Sequence, residues 1–342
     1  MSLGVSFDLT VIWALLLVAA VYIYVALDGF DLGIGILYAV FPEKRDRDLL
    51  MNSVAPVWDG NETWLVLGGG GLMAAFPMAF GILMTALYPL IILMLLALVL
   101  RGVAFEFRWR AQSRVAKHGW DAAFAGGSLV AALAQGMTLG ALVQGIEVSG
   151  RTYAGGWWDW LTPFTLLCGL AVAAGYTMLG ICWLMIKSQG AFRARIRRWG
   201  LRVAVVLVGA IVLVSLATPF LVGTYYMRWF AWPGLALSAP VPILVAVLAV
   251  LLVQSLRGRF GGDWVPMALA QGLFLLCFLG LGISLWPNVI PPDVSIWEAA
   301  APEKSQVFML VGAGILLPII LGYTAYAYWV FRGKIDPDEG YH

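Results

Sequence analysis

Residues 80–100 read FGILMTALYPLIILMLLALVL, twenty-one residues without one charge. At 1.5 Å per residue a helix of that length is about 30 Å long, the thickness of a bilayer's hydrocarbon core. It is apolar on every side, so as a helix it has no face to offer water. Runs of the same kind recur along the 342-residue chain, which is 62% hydrophobic and 12% charged, with a mean hydropathy of +0.89. Soluble domains carry roughly twice that share of charge. The composition therefore excludes a soluble enzyme and specifies an all-α polytopic membrane protein. A net charge of +2 leaves no basic footprint for nucleic acid.

Apolar runs bounded by charges predict nine transmembrane helices, over about 10–40, 50–76, 80–105, 121–143, 163–187, 203–222, 241–256, 265–286 and 307–331. The first exceeds what a bilayer needs and is expected to bend or protrude near Gly29, Gly33 and Gly35. The seventh is short, although its apolar character begins near Leu235. Cytoplasmic loops are enriched in Lys and Arg. With the N-terminus periplasmic and the C-terminus cytoplasmic, 18 of the 21 basic residues fall in inner loops, and only Arg151, Arg228 and Lys304 fall outside. Arg101, Arg108, Arg110, Arg114 and Lys117 are assigned to one such inner loop, and the RARIRR stretch at 193–198 to another. Beside a span, that stretch reads as a topology signal touching anionic lipid. Trp157, Trp158, Trp160, Trp229, Trp232 and Trp297 lie on the other side, as an interfacial belt does. Asp8, with no Lys or Arg before the first run, argues against a cleavable signal peptide.

Charged side chains inside a span are functional candidates by default. Asp28 and Asp31 are three residues apart and share a helix face, as do Asp59 and Glu62. Glu106 closes the third run. No basic residue lies in the first two runs to neutralise those four acids. From the helical rise, Asp28 and Asp59 are some 15–20 Å from the inner face and Glu106 is near it. The set describes a ladder from the cytoplasm to mid-membrane, and an uncompensated carboxyl at that depth is expected to hold a proton part of the time, as a relay requires. Two plainer readings stand beside this one. Asp28 and Asp31, next to glycines, would hydrogen-bond backbone where a long helix bends, and Glu106 would pair with Arg108 or Arg110.

Gly68–Gly71 has neither the strand nor the lysine of a phosphate loop and reads as a close helix contact. Pro56, Pro77, Pro89, Pro219, Pro266 and Pro318 are expected to kink or start helices. The two histidines, His118 and His342, lie outside the apolar runs, which argues against a haem or metal held by histidine. Cys168, Cys182 and Cys277 form no C-x-x-C pair and read as small buried hydrophobes. Two functions survive: a proton- or cation-coupled secondary transporter, or a cofactor-free subunit that carries protons or substrate for a redox partner. The acids crowd the first three runs, which disfavours a transporter with two equivalent halves.

ALDGFDLGIG at 26–35 and NSVAPVWDGNETWLVLGGG at 52–70 strongly resemble subunit II of the cytochrome bd-type quinol oxidases. The resemblance continues through GVAFEFR at 102–108, WPNVIPPDVSIWEAA at 286–300 and LPIILGYTAYAYW at 317–329. The ETWLVL form of the second block is similar to the cyanide-insensitive branch. The resemblance implies a heterodimer in the bacterial inner membrane. Subunit I, the partner, would oxidise quinol and reduce oxygen to water on three haems, two of b type and one of d type, or b type in its place. Protons would come from the cytoplasm, and this chain would bind no haem. It also implies two four-helix bundles plus one peripheral helix within a single transmembrane domain, with residues 1–143 as the first bundle and 144–256 and 257–342 as the remaining spans. A small accessory subunit and membrane lipid are compatible partners. The family's proton route passes an acid matching Glu106 and then the aspartate matching Asp59, although an aspartate often stands where this chain has Glu106. Asp28 and Asp31 match the D-G-F-D motif, and Trp64 matches a tryptophan lining an oxygen-access route in some members.

Overall fold

In the computed structural model, residues 8–335 are described. The helices are α1 (Leu9–Tyr38), α2 (Lys44–Val54), α3 (Trp58–Ala75), α4 (Pro77–Arg110), α5 (Arg114–Gln144), α6 (Pro163–Lys187), α7 (Gly190–Ala217), α8 (Gly223–Phe230), α9 (Gly234–Ser238), α10 (Pro240–Leu256), α11 (Val265–Leu285), α12 (Ile296–Ala299) and α13 (Glu303–Val330). Two small antiparallel hairpins interrupt them, β1 (Val148–Ser149) with β2 (Thr152–Tyr153), and β3 (Asn288–Ile290) with β4 (Val294–Ser295).

The helix starts are written locally. Asp8 accepts from the Thr10 amide at 2.9 Å, and Thr162 and Thr165 cap α6 reciprocally ahead of Pro163. Pro77 and Pro240 open α4 and α10, where a missing N–H costs nothing. Pro89 and Pro318 sit inside α4 and α13.

Among the described residues, eight segments are long and apolar enough to cross a membrane: α1, α4, α5, α6, residues 190–220, residues 234–256, α11 and α13. The chain is thus a multi-pass helical membrane protein. The run expected at 50–76 is broken instead. Its first part is the polar helix α2, the chain turns at Ala55–Val57, and α3 carries Asp59, Asn61 and Glu62 in its first turns, which lowers its hydropathy. Even so, α3 is about 27 Å long. It runs from Trp58, stacked on Phe105, to Ala75, whose carbonyl accepts from the Ala301 amide at 2.8 Å. The RARIRR stretch is not a loop either. After a turn at Gly190 (φ +64°) it forms the first turns of α7, where Arg195 binds Asp46 of α2.

The closest helix packing joins α4 to α5, α5 to α6 and α6 to α1, with α3 laid on α1; α7, α10 and α11 cover the far side of α6. Lipid competes with apolar side chains for such contacts, so close approach of backbones matters more than apolarity. A Cβ on Gly33 would lie 1.8 Å from the Tyr176 carbonyl oxygen, and one on Gly180 would lie 2.8 Å from the Gly33 carbonyl carbon. The glycines of α1 therefore seat α6, and α1 runs without interruption where a bend was expected. The Gly68–Gly71 stretch makes less contact than expected: Gly71 meets Leu17, but Gly69 and Gly70 face open space.

α13 is peripheral, with Gln306 its only buried residue. It is pinned at its ends. The Trp13 indole donates to the Gln306 carbonyl at 3.1 Å, and Lys187 donates to the Phe331 carbonyl. At the same arginine-rich end, Lys334 and Arg193 grip Asp263, and these two cations hold its carboxyl below the ordinary carboxylate range.

Candidate functional site: a buried acid-rich ion cluster

Asp28 and Asp31 of α1 are fully buried, and so is Arg101 of α4. The guanidinium Nη1 donates to Asp28 Oδ1 at 3.2 Å and to Glu62 Oε1 of α3 at 2.7 Å, while Nη2 lies 4.0 Å from Asp31 Oδ2. This overturns the expectation that the acids are unneutralised. Arg101, assigned to an inner loop because it ends an apolar run, sits inside α4 and turns into the bundle. Nor do the aspartates cap the backbone of a bent helix; they face the cation.

The cluster is extended by polar side chains that their isolated positions in apolar sequence did not mark. Asn61 Nδ2 donates to Asp31 Oδ2 at 2.7 Å, and its Oδ1 accepts from the Tyr328 hydroxyl of α13 at 2.9 Å. Tyr24, one turn before Asp28, accepts from Gln135 Nε2 at 2.7 Å, and Gln135 Oε1 accepts from the Tyr176 hydroxyl at 2.7 Å. Five spanning helices and α3 thus meet around one guanidinium. Asp31 Oδ1 and Arg101 Nε have no hydrogen-bond partner among the described residues. Three carboxyls face one fixed cation, so if all were ionised the site would carry uncompensated charge in a medium that penalises it heavily. The arrangement suits exchangeable protons. The signal available in sequence was the arithmetic itself: four acids in apolar runs demand a cation, and Arg101 is the one basic residue inside the first three runs.

The other expected residues are placed differently. Asp59, one turn before Glu62 on α3, points out of the bundle, and Glu62 is 25% exposed beside it. Glu106 is 63% exposed and lies 3.8 Å from Arg110, its neighbour one turn on. Asp59 and Glu106 therefore stand on the outer face of this chain, and the ladder is not continuous inside it. Trp64 is buried with Ala20 and Tyr24, under Leu317 and Ile320 of α13.

Seven residues along α4 lies a second network. Arg108 Nε donates to Asp121 Oδ1 at 2.6 Å and Nη1 is 2.9 Å from Asp48; Arg47 and the Tyr38 hydroxyl also donate to Asp121, at 3.0 and 2.6 Å. Among the described residues no group of three or more His, Cys, Asp or Glu is arranged to hold a metal ion. His118 is exposed at the start of α5 with Nδ1 2.7 Å from the Arg114 carbonyl, and His342 lies outside the described residues. A haem held by histidine inside the bundle does not fit these residues.

Fold and site together define a class, a polytopic helical membrane protein built around a buried acid-rich ion cluster. The chain belongs to the family of cytochrome bd terminal oxidase subunit II, whose match spans residues 9–331. It is 29% identical to the cytochrome bd-I ubiquinol oxidase subunit 2 of Escherichia coli K12, over 96% of this chain and 95% of that one. It is 27% identical to a probable cytochrome oxidase subunit 2 of Haemophilus influenzae, over 95% and 94% of the two chains. Against the cytochrome bd ubiquinol oxidase subunit 2 of Bacillus subtilis the identity is 26%, over 95% and 96%. The bd oxidase structure from Geobacillus thermodenitrificans shares the fold, with a TM-score of 0.72 at 19% identity, covering 94% of this chain and 99% of that one. Family membership decides between the two readings of the sequence in favour of the oxidase subunit. The chain is a component of a bd-type oxidase, not a free-standing transporter.

Proposed function

We propose that this chain delivers cytoplasmic protons to the haem site of its partner, subunit I, in a quinol oxidase of the bacterial inner membrane, and supports assembly of that complex. The relatives named as ubiquinol oxidase subunits support quinol as the reductant. The partner's haems, two of b type and one of d type or b in its place, would supply the electron transfer and oxygen reduction. The topology that accompanies this reading has nine crossings with α3 as the short second one, the N-terminus periplasmic and the C-terminus cytoplasmic. Its first four-helix group ends near residue 143, and α13 is the peripheral helix.

The observation that carries the proposal is the excess of acid over cation at Arg101, together with the way it opens. Glu62 links the sealed aspartates to the outward face of α3, where Asp59 stands in the bilayer zone with no ion pair among the described residues. A proton held among Asp28, Asp31 and Glu62 can leave by Glu62 toward Asp59, and the carboxylate left behind stays paired with Arg101. Glu106, nearer the arginine-rich end of the same face, would collect protons for Asp59.

Asp59→Asn keeps the shape and cannot ionise. Oxygen consumption per haem in the purified complex should fall at least tenfold, equivalent to about 1.4 kcal/mol of barrier. Normal turnover per haem between about pH 6 and 8 removes Asp59 from the route. A lower yield of complex with normal turnover would make it an assembly residue.

A further inference from the structure

The break at Ala55–Val57 separates α2 from α3 at the arginine-rich end of the bundle. Beside it, between α3 and α13, lies a water-sized recess walled by Pro56, Val57, Gly60, Asn61, Thr324 and Tyr328. It lies near the end where Phe331 meets Lys187, since Tyr328 is about one turn before that contact. Its floor is Asn61, which is 1% exposed and bonded on one side to Tyr328 and on the other to Asp31. Behind that floor, Asp31 Oδ1 is buried with no hydrogen-bond partner among the described residues.

We propose that this recess is a water inlet to Asp31, with Asn61 and Tyr328 as its valve. The proposal rests on the reading of the Arg101 cluster as a proton store, and it names where that store is filled. Asn61 is suited to closing a path, not to carrying protons. Its amide donates through nitrogen and accepts through oxygen, with no group that gains and loses a proton as a carboxyl or water does. While it bonds Asp31 and Tyr328, water in the recess cannot reach the carboxyl. When Asn61 swings toward the recess, one water can bond Asp31 Oδ2 in its place and pass a proton to the carboxylate while taking another from the water outside, so no hydroxide is left behind. The wall that would yield is α13, which is nearly unburied along its length and held mainly at its ends. The inlet stands on the α13 side of α3, apart from the outward face with Asp59. Filling and delivery therefore use different sides of one helix.

The test uses the two-subunit oxidase in inverted membrane vesicles, with Cys277, the native cysteine that is not buried, changed to Ala. A charged methanethiosulfonate reacts with the thiolate, which forms where water is present. Thr324→Cys should therefore be modified about tenfold faster than Ile319→Cys on the lipid-facing side of α13. Ile319→Cys, exposed on α13 and outside the recess lining, should turn over as the parent does. Gly60→Leu fills the recess; it and the modified Thr324→Cys should slow oxygen consumption per haem several-fold and raise its solvent isotope effect. A Thr324→Cys no faster than Ile319→Cys means a dry recess and overturns the inlet. Rapid labelling with Gly60→Leu indistinguishable from the parent means a wet recess that serves nothing, and also overturns it. Normal turnover per haem in Asp31→Asn would instead remove the proton-store reading, which the labelling rates do not touch.

Discussion

Helix α4 carries two buried arginines seven residues apart, and their surroundings differ in one respect that matters. Around Arg108 no acid is left in excess of the cations. Asp121 receives Arg108, Arg47 and the Tyr38 hydroxyl, and Asp48 pairs with Arg108 and, at 3.9 Å, with Lys44. Around Arg101 three carboxyls share one guanidinium, and Asp31 keeps an oxygen without a hydrogen-bond partner among the described residues. A network with no excess acid loses stability if any member changes protonation, so it acts as a clip, here tying α2 to α4 and α5. One with excess acid can gain or lose a proton and remain paired. The two sites use the same residue types, and only the ratio separates a fastener from the proposed proton store.

The largest expected effect comes from removing the cations. Removing one partner of a buried ion pair costs about 3–5 kcal/mol because the charge left behind has no compensation. Arg101→Met should nearly abolish recovery of the assembled complex, whereas Arg108→Met should leave a reduced but measurable yield, since Asp121 keeps Arg47 and Tyr38. Arg101→Lys should recover little, because an ammonium cannot reach three carboxyls as a planar fork does. Yields and melting temperatures of the extracted oxidase check this, and an Arg108→Met as damaging as Arg101→Met would erase the contrast.

Neutralising one acid at each network sharpens the difference. Asp31→Asn should cut oxygen turnover per haem by about tenfold or more, while Asp121→Asn should lower the amount of complex and leave turnover per haem unchanged. Equal losses per haem in the two variants would mean that charge ratio is not what separates them. Glu106→Gln should cost no more than a few-fold, since at 63% exposure water can stand in for its carboxyl.

The smallest effect belongs to the surface clasp at Asp263. Lys334 and Arg193 hold its pKa below the ordinary value. Its contribution is therefore fully present above about pH 4, the unfolded value, and is lost as pH falls through the lower folded one. Amide exchange at residues 331–335, corrected for the intrinsic pH dependence, should accelerate below about pH 4. In Asp263→Asn it should be fast at every pH. The site is solvent-screened, so the whole molecule's melting temperature should barely move.

Much of the membrane fold was legible because lipid imposes long apolar runs. The legible part ended where a residue's meaning depends on helix rotation. Asp59 and Glu62 are three residues apart and were expected to act together. The turn of α3 leaves one outside the bundle and draws the other toward Arg101. Asn61, between them, was invisible as a candidate because an amide in a polar stretch carries no signal until its partners are known. Arg101 was miscounted for a similar reason. A hydropathy profile places an arginine at the end of a run in water, and it cannot register three carboxyls arriving from two other helices.

The sequence by itself determined that this chain crosses a membrane many times, where its acids lie, and to which family it is similar. Each follows from local composition, because the cost of exposing charge to lipid is paid residue by residue. Tertiary structure decided which acids are sealed, which face outward and which cation they share. Gly33 and Gly180 bring α1 and α6 into backbone contact, so α1 sits deep in the bundle and its two aspartates meet Arg101. Break and rotation of α2 and α3 then set Asn61 between Asp31 and Tyr328. Those relations depend on helix contacts between residues as far apart as Asn61 and Tyr328, and no local window of sequence contains them.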